Sequence, residues 1–166
     1  MQNDERMVRF ERWVRAFQPV VYRAAYLILR DRSGAEDVAQ ETFIRAYRAL
    51  DRSDPGDAVR SWLYRIAVNT ALNELRRRKR ESAAYSRAVA VGDASLPDVE
   101  TRSIVAEAID RLPDHLRVPV ICRYFLDLSE QEMAEVLRVR PGTVKSRLHE
   151  ARRLLAGDET LAVAGA

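Results

Sequence analysis

Residues 128–155 read LSEQEMAEVLRVRPGTVKSRLHEARRLL. Ser129, with Glu132 three residues on, is a capping-box pattern: hydroxyl and carboxylate each satisfy a backbone N–H at the start of a helix. Met133, Val136 and Leu137 then supply a short apolar face. Arg138, Val139 and Arg140 make a tight turn into Pro141, a residue suited to the first position of a new helix because the N–H it lacks has no partner there. Val144, Leu148, Ala151 and Leu155 recur at i, i+4, i+7 and i+11, the buried face of that second helix. Two short helices across a tight turn form a helix-turn-helix, whose second helix enters a DNA major groove.

The outward residues of that second helix fit the task. Thr143, Lys145, Ser146, Arg147, His149, Arg152 and Arg153 offer donors to phosphates and base edges. The helix N-terminus itself attracts phosphate. Lys145, His149 and Arg152 share one stripe. Glu150 would repel phosphate, so it either faces away or accepts from a cytosine amine. His149 reads as a groove-edge residue without an acid–base task, and His115 as a cap or packing residue near a helix start.

Charge leads outward from here. The chain carries +3 in all, but residues 140–153 hold five basic residues against one acid. Residues 60–80, RSWLYRIAVNTALNELRRRKR, hold seven against one, and end in five consecutive basic side chains. Two basic patches on an otherwise acidic body are the footprint of a polyanion binder. Within 60–80, helical spacing makes Val59, Leu63, Ile66 and Thr70 the expected buried stripe. Asn69, Asn73, Arg76 and Arg80 form another stripe, with Arg65 and Arg77 at its margins. Asn pairs with base edges and Arg with phosphates, so this face suits single-stranded or partly opened DNA. Trp62 serves equally as core packing or as a stacking platform for an unpaired base. The acid-rich loop 51–57 could wall a pocket for an extruded base.

Such a surface cannot melt duplex unaided. Stacking is worth about 1.4 kcal/mol per base-pair step, and each captured base returns about 1–3 kcal/mol. Opening many steps needs a larger machine to hold the rest of the bubble.

The rest of the chain is helical in pattern. Phe10, Trp13, Val14 and Phe17 follow helical spacing, continued by Val21, Ala24, Ala25 and Ile28 beyond Pro19, where a kink or restart is expected. Ser33 and Glu36 form a second capping-box pattern and predict a helix start there, with Ala39, Phe43, Ala46 and Leu50 inward. Asp57 is the expected cap of the helix holding residues 60–80. A small, polar segment with Gly92 and Pro97 reads as a linker. Ile104, Val105, Ala108, Ile109 and Leu112 restore helical spacing. Pro113 closes that helix and opens one with Leu116, Val120, Ile121 and Tyr124 inward, despite Pro119. The expected organisation is all-α: two small helical domains, 1–82 and 98–156, the second a helix-turn-helix, joined by a linker 83–97 and followed by a tail 157–166.

Composition excludes several classes. Hydrophobic content of 47% with 32% charged residues fits a globular chain. No apolar run approaches the ~18 residues of a membrane span, and the charged N-terminus lacks a secretory core, so no membrane insertion and a cytoplasmic location are expected. One cysteine, Cys122, rules out an internal disulfide and a cysteine metal cluster, and reads as a small buried apolar residue. No phosphate-binding glycine loop and no nucleophile–base–acid set stands out, so neither enzyme nor cofactor is expected.

EDVAQETFIRAYRAL (36–50), RSWLYRIAVNTALNELRRRKR and the helix-turn-helix segment, in that order, resemble a bacterial extracytoplasmic-function RNA polymerase sigma factor. The resemblance spans about residues 10–155. It implies a promoter-specificity subunit that recruits polymerase core and helps open DNA, its first domain acting on the minus-ten element and its second reading the minus-thirty-five element. It assigns Asp37, Gln40, Glu41 and Phe43 to docking on the β′ clamp helices, with the β subunit as a further contact. It assigns Asn69 to reading a flipped base, the loop 51–61 to framing that base, and residues 76–80 to running along DNA. Trp62, Arg65, Asn73, Arg76, Arg77 and Arg80 join Asn69 as the minus-ten set. Thr143, Lys145, Ser146, Arg147, His149 and Arg152 form the minus-thirty-five set. An anti-sigma factor is an implied partner. The rival reading, a helix-turn-helix regulator acting without polymerase, leaves the Asn/Arg face and the acidic helix unused.

Overall fold

The computed structural model describes residues 2–50, 52, 54–86 and 104–158. Among them are seven α-helices and one short 3-10 turn, and no strand. The expected linker beyond Ser86, the tail beyond Asp158, and Asp51 and Ser53 of the acid-rich loop lie outside the described residues.

Helices α1 (Gln2–Leu29), α2 (Arg32–Ala49) and α3 (Val59–Ser86) pack on one another as the N-terminal unit. Phe10, Val21, Ala24, Ala25 and Ile28 of α1 are buried. That face stays in register through Pro19, so α1 continues as one helix and does not restart there. Burial against two partners outweighs the backbone hydrogen bond that proline removes, a loss of about 3 kcal/mol. An aromatic cluster closes the base of the unit: Phe10 meets Trp13, Phe43 and Tyr47 edge-on at 5.1 to 6.4 Å.

Helix α2 starts two residues earlier than its capping-box pattern predicts. Asp31 is the cap, in extended backbone, and its carboxylate accepts the Gly34 N–H at 2.7 Å. The Ser33/Glu36 pair falls inside the first turn. Asp31 wins because Arg78 of α3 also fixes it, at 2.8 Å. The cap of α3 differs too: Asp57 lies within the 3-10 turn Gly56–Ala58 that leads into the helix, rather than capping it. Helix α3 continues past residue 82, the expected domain end, to Ser86.

The expected α3 stripe is incomplete. Leu63 and Thr70 are buried and Val59 and Ile66 half-buried, but Tyr64, Ala67, Val68, Ala71 and Leu72 are buried as well. A helix covered by both α1 and α2 hides a wider arc than one stripe. The two buried threonines are tolerated because each hydroxyl donates to the carbonyl four residues back, Thr42 to Val38 at 2.7 Å and Thr70 to Ile66 at 2.8 Å.

In the C-terminal unit, α4 (Ile104–Arg111), α6 (Glu130–Leu137) and α7 (Pro141–Ala156) pack around α5 (Asp114–Tyr124). The Ser129/Glu132 capping box forms in both directions, at 3.2 and 2.8 Å. Helix α6 ends at Arg138 with φ of 56°, and the Val139 N–H returns to the Ala134 carbonyl at 3.0 Å, so the turn of the helix-turn-helix closes on itself. Pro141 takes the first position of α7, which buries Val144, Leu148 and Ala151. Helix α5 is buried almost all round, Pro119 included. Its ends emerge, His115 at the start and Arg123 and Tyr124 at the finish, so Tyr124, expected inside, is 57% exposed. Cys122 is fully buried, and burial pushes its thiol up to about 12.

The two units touch along α1–α5 and α3–α6. Arg117 of α5 is buried between them and donates to the carbonyls of Leu112 and Ile28, at 3.2 and 2.9 Å.

Candidate nucleic-acid interface

The 60–80 stretch turns one face inward and one outward. Asn69 is half-exposed, and Asn73, Arg76, Arg77 and Arg80 are exposed. Arg76 donates to the Asn73 amide oxygen at 3.2 Å, which holds the two as a unit. Arg77 lies between Glu74 and Glu81, at 2.7 and 2.6 Å. Arg78 bridges Glu74 and Asp31, and Lys79 pairs with Asp114. The run of five basic residues is therefore no uniform charged end. Arg77 and Arg78 hold Glu74 down to about 2, chiefly through the Arg77 hydrogen bond, and Arg78 ties α3 to the start of α2.

Trp62 is half-buried and meets Trp13 edge-on at 6.5 Å, while the Arg9 guanidinium covers Trp13 at 5.1 Å. Arg9 also pairs with Asp54 at 2.8 Å, and the other Asp54 oxygen accepts the Gly56 N–H at 3.0 Å. That N–H first, and then Arg9, hold the Asp54 carboxyl below the usual range. Gly56 has φ of +52°, a conformation that strains other residues. The loop before α3 is thus tied to α1.

The four docking candidates divide over the two sides of α2. Asp37 and Glu41 line a groove of about 440 Å³ whose far wall is Thr70, Asn73, Arg77 and Arg80. Gln40 and Phe43 line another, of about 370 Å³, against Val14, Gln18 and Tyr22 of α1. Phe43 itself is largely core, 8% exposed, and Ile44 beside it is 45% exposed. The sequence reading missed Ile44; its signal is an isoleucine off the buried stripe of α2.

On α7, Lys145 and His149 are exposed, Thr143 is half-exposed, and the Ser146 hydroxyl is turned back on the Gly142 carbonyl at 2.7 Å. Arg152 is exposed, with Nε on the Leu148 carbonyl. Arg147 is half-buried and faces α3: it shares a groove of about 250 Å³ with Leu72, Arg76 and Lys79. His115 lines the same groove, exposed. The structure therefore brings Arg76 and Arg147 to one interdomain cleft, pairs Arg65 with Glu135 of α6 at 3.0 Å, and leaves Lys145 and His149 outside that cleft. No cluster of three or more His, Cys, Asp or Glu suited to a metal occurs among the described residues.

A three-helix unit with an Asn/Arg face, joined to a helix-turn-helix, is the architecture of a sigma-type promoter-recognition subunit. The chain matches the family models for Sigma-70 region 2 over residues 13–81 and Sigma-70 region 4 over residues 102–155. It is 32% identical to the ECF RNA polymerase sigma factor SigW of Bacillus subtilis, over 84% of this chain and 82% of that one. It is 38% identical to the ECF RNA polymerase sigma-E factor of Escherichia coli, over 72% and 70%. Among solved structures, the sigma factor RpoE in complex with the anti-sigma factor NepR from Bartonella quintana matches with a TM-score of 0.73 at 25% identity, covering 93% of this chain and 97% of that one. CnrH in complex with the cytosolic domain of CnrY matches with a TM-score of 0.62 at 26% identity, covering 95% and 89%. The chain belongs to the extracytoplasmic-function family of RNA polymerase sigma factors. It is a promoter-specificity subunit of RNA polymerase, and the reading as a regulator that works without polymerase falls away.

Proposed function

We propose that the two faces divide the work between two promoter elements. The outer face of α3 holds the opened minus-ten strand: Asn69 reads a flipped base, Trp62 lies beside it, and Arg65, Asn73, Arg76, Arg77 and Arg80 follow the backbone. Helix α7 reads the minus-thirty-five duplex through Thr143, Lys145, Ser146, Arg147, His149 and Arg152. Helix α2 docks on the polymerase β′ clamp helices with Asp37, Gln40, Glu41 and Phe43. The domain limits are 1–82 and 98–156. The chain works by binding and is not an enzyme; its place is the cytoplasm, with the polymerase. An anti-sigma factor that covers the docking and DNA faces is the expected inhibitor, as the similar RpoE of Bartonella quintana was captured with the anti-sigma factor NepR.

One observation carries this reading: Asn69, Asn73, Arg76 and Arg80 recur on one outward stripe of α3, beside the groove that Asp37 and Glu41 line. A basic face for DNA thus borders an acidic face for a basic protein surface. The test is transcription from mapped promoters with purified core polymerase, with and without the chain. New start sites that depend on the chain support the reading. Unchanged start sites, or promoter opening by the chain without core, would overturn it.

A further inference from the structure

We propose that Arg9 of α1, which belongs to none of the sets above, is a positioning residue for minus-ten reading: it fixes the acid-rich loop before α3 and the Trp62 ring relative to one another, and so shapes the place where a flipped base is held. This rests on the minus-ten role given to α3 above and adds to it a residue from another helix. Arg9 Nη1 meets one Asp54 oxygen at 2.8 Å, and the other oxygen accepts the Gly56 N–H at 3.0 Å. One carboxylate therefore both shapes the turn and ties it to α1. Gly56 has φ of +52° with open space where a Cβ would stand, so the turn needs that backbone conformation and not a close fit. The same guanidinium lies over the Trp13 ring at 5.1 Å, and Trp13 meets Trp62 edge-on at 6.5 Å. Trp62 and Asn69 stand at i and i+7 on α3, on one face of the helix.

No other bond of the loop does this among the described residues. The Arg52 N–H goes to the Ala49 carbonyl, the Ala58 N–H to the Pro55 carbonyl and the Ser61 hydroxyl to the Ala58 carbonyl, all near neighbours in sequence. The Arg9–Asp54 pair alone among them carries the loop to α1. The anchor is itself rigid. Arg9 precedes Phe10, which is buried and packs edge-on against Phe43 and Tyr47. A guanidinium held by a carboxylate and laid over a ring is pre-organised. Its charge is matched by Asp54, so Arg9 acts on DNA through the loop and not as a phosphate contact.

Arg9 and Asp54 are 44% and 50% exposed, and an ion pair of that kind shifts an equilibrium about 1.5- to 5-fold. Such a shift is too small to decide whether the chain folds. It is large enough to set how strongly one base is preferred over the next.

Asp54→Asn keeps an acceptor for the Gly56 N–H and removes the charge that Arg9 meets, so with Arg9→Gln it completes a double-variant cycle. The measurement is the rate of promoter opening by core polymerase carrying each chain, on templates varied at each minus-ten position in turn. It is read as the ratio of the best base to the next. Each single variant should lower that ratio at one position about 1.5- to 5-fold, and the double variant should lower it no further. Arg9→Lys should restore most of it, while core affinity and the salt slope of promoter binding stay at the parent values in all of these chains. Additive losses, or an unchanged ratio in both single variants, would overturn the proposal. So would a shallower salt slope in Arg9→Gln with equal losses for every base, which would make Arg9 a phosphate contact. Asn69→Ala separates the two readings. Preference lost in Asn69→Ala but kept in Arg9→Gln and Asp54→Asn removes the proposal and leaves the minus-ten role of α3 standing. Preference lost in the Arg9 and Asp54 variants but kept in Asn69→Ala supports the positioning role and takes the flipped base away from Asn69. Preference kept in all three sinks both.

Discussion

Arg117, on α5, donates from Nη2 to the carbonyl oxygen of Ile28, on the last turn of α1, across 2.9 Å and 89 residues of sequence. The last carbonyls of a helix have no partner inside it, so the second unit supplies a cationic cap to the first. The same guanidinium reaches the Leu112 carbonyl and the Asp114 carboxylate. At 3% exposed, burial works against its charge and lowers its pKa. Removing a buried partner leaves the others unpaired, at about 3–5 kcal/mol. Arg117→Ala should therefore destabilise the chain by about 3 kcal/mol. Arg117→Lys should recover part of that, since one ammonium cannot serve both carbonyls and the carboxylate. Urea unfolding of the three chains checks the order; an unchanged midpoint in Arg117→Ala would contradict it.

Much of the fold was legible because helices announce themselves locally. The Ser129/Glu132 box, Pro141 at the start of α7 and the spacing of Val144, Leu148 and Ala151 are short-range signals, and the structure forms all three. What stayed hidden depends on groups distant in sequence. Asp31 looks no better a cap than Ser33 until Arg78 arrives from 47 residues away. Arg117 stands in an apolar run, and no local pattern points to the Ile28 carbonyl that it meets from 89 residues away. Of the candidate sites, the stripe of Asn69, Asn73, Arg76 and Arg80 follows from helical spacing alone. That Arg65 meets Glu135, and Arg147 faces α3, depends on how two units meet, and no local pattern encodes that.

Asn69 is half-exposed, one turn before Asn73 on the outward stripe of α3. A base-edge contact of this kind is worth about 1–3 kcal/mol of discrimination. Asn69→Ala should lower promoter opening about tenfold or more and relax base preference at one minus-ten position, with core-polymerase affinity unchanged. Permanganate footprinting and a core-binding titration give the comparison. Equal loss in both would remove Asn69 from the reading set.

Lys145 is 68% exposed, and its only cross-element ion pair among the described residues is a long one, 3.6 Å, to Glu130. If it neutralises a phosphate, Lys145→Ala should weaken promoter binding by the polymerase complex about equally across sequences and make the log–log salt slope shallower by about 0.9. Arg147→Ala should instead alter sequence preference if Arg147 reaches a base edge. An unchanged slope for Lys145→Ala would assign that side chain to the surface rather than the groove.

Glu74 gives the chain a predictable acid limit. Its side chain is 20% exposed and pairs with Arg77 and Arg78 at 2.7 Å each. Those contacts, Arg77 first, lower its pKa from an ordinary 4.5 to about 2. Asp31 and Glu132 are shifted the same way, by Arg78 and by the Ser129 N–H respectively. A carboxylate with a depressed folded-state pKa stabilises the fold fully above its unfolded value, and loses that stabilisation as pH falls toward the folded value. The melting temperature should therefore hold level above about pH 5 and fall between about pH 4.5 and pH 2. Glu74→Gln should melt lower at neutral pH, by about 1–2 kcal/mol once screening of the half-exposed Arg77 is allowed for. Its acid limb should be shallower, so that the two curves converge near the acid end. Parallel curves down to about pH 2 would mean that Glu74 titrates alike in both states, and that its two arginine contacts do not hold in solution.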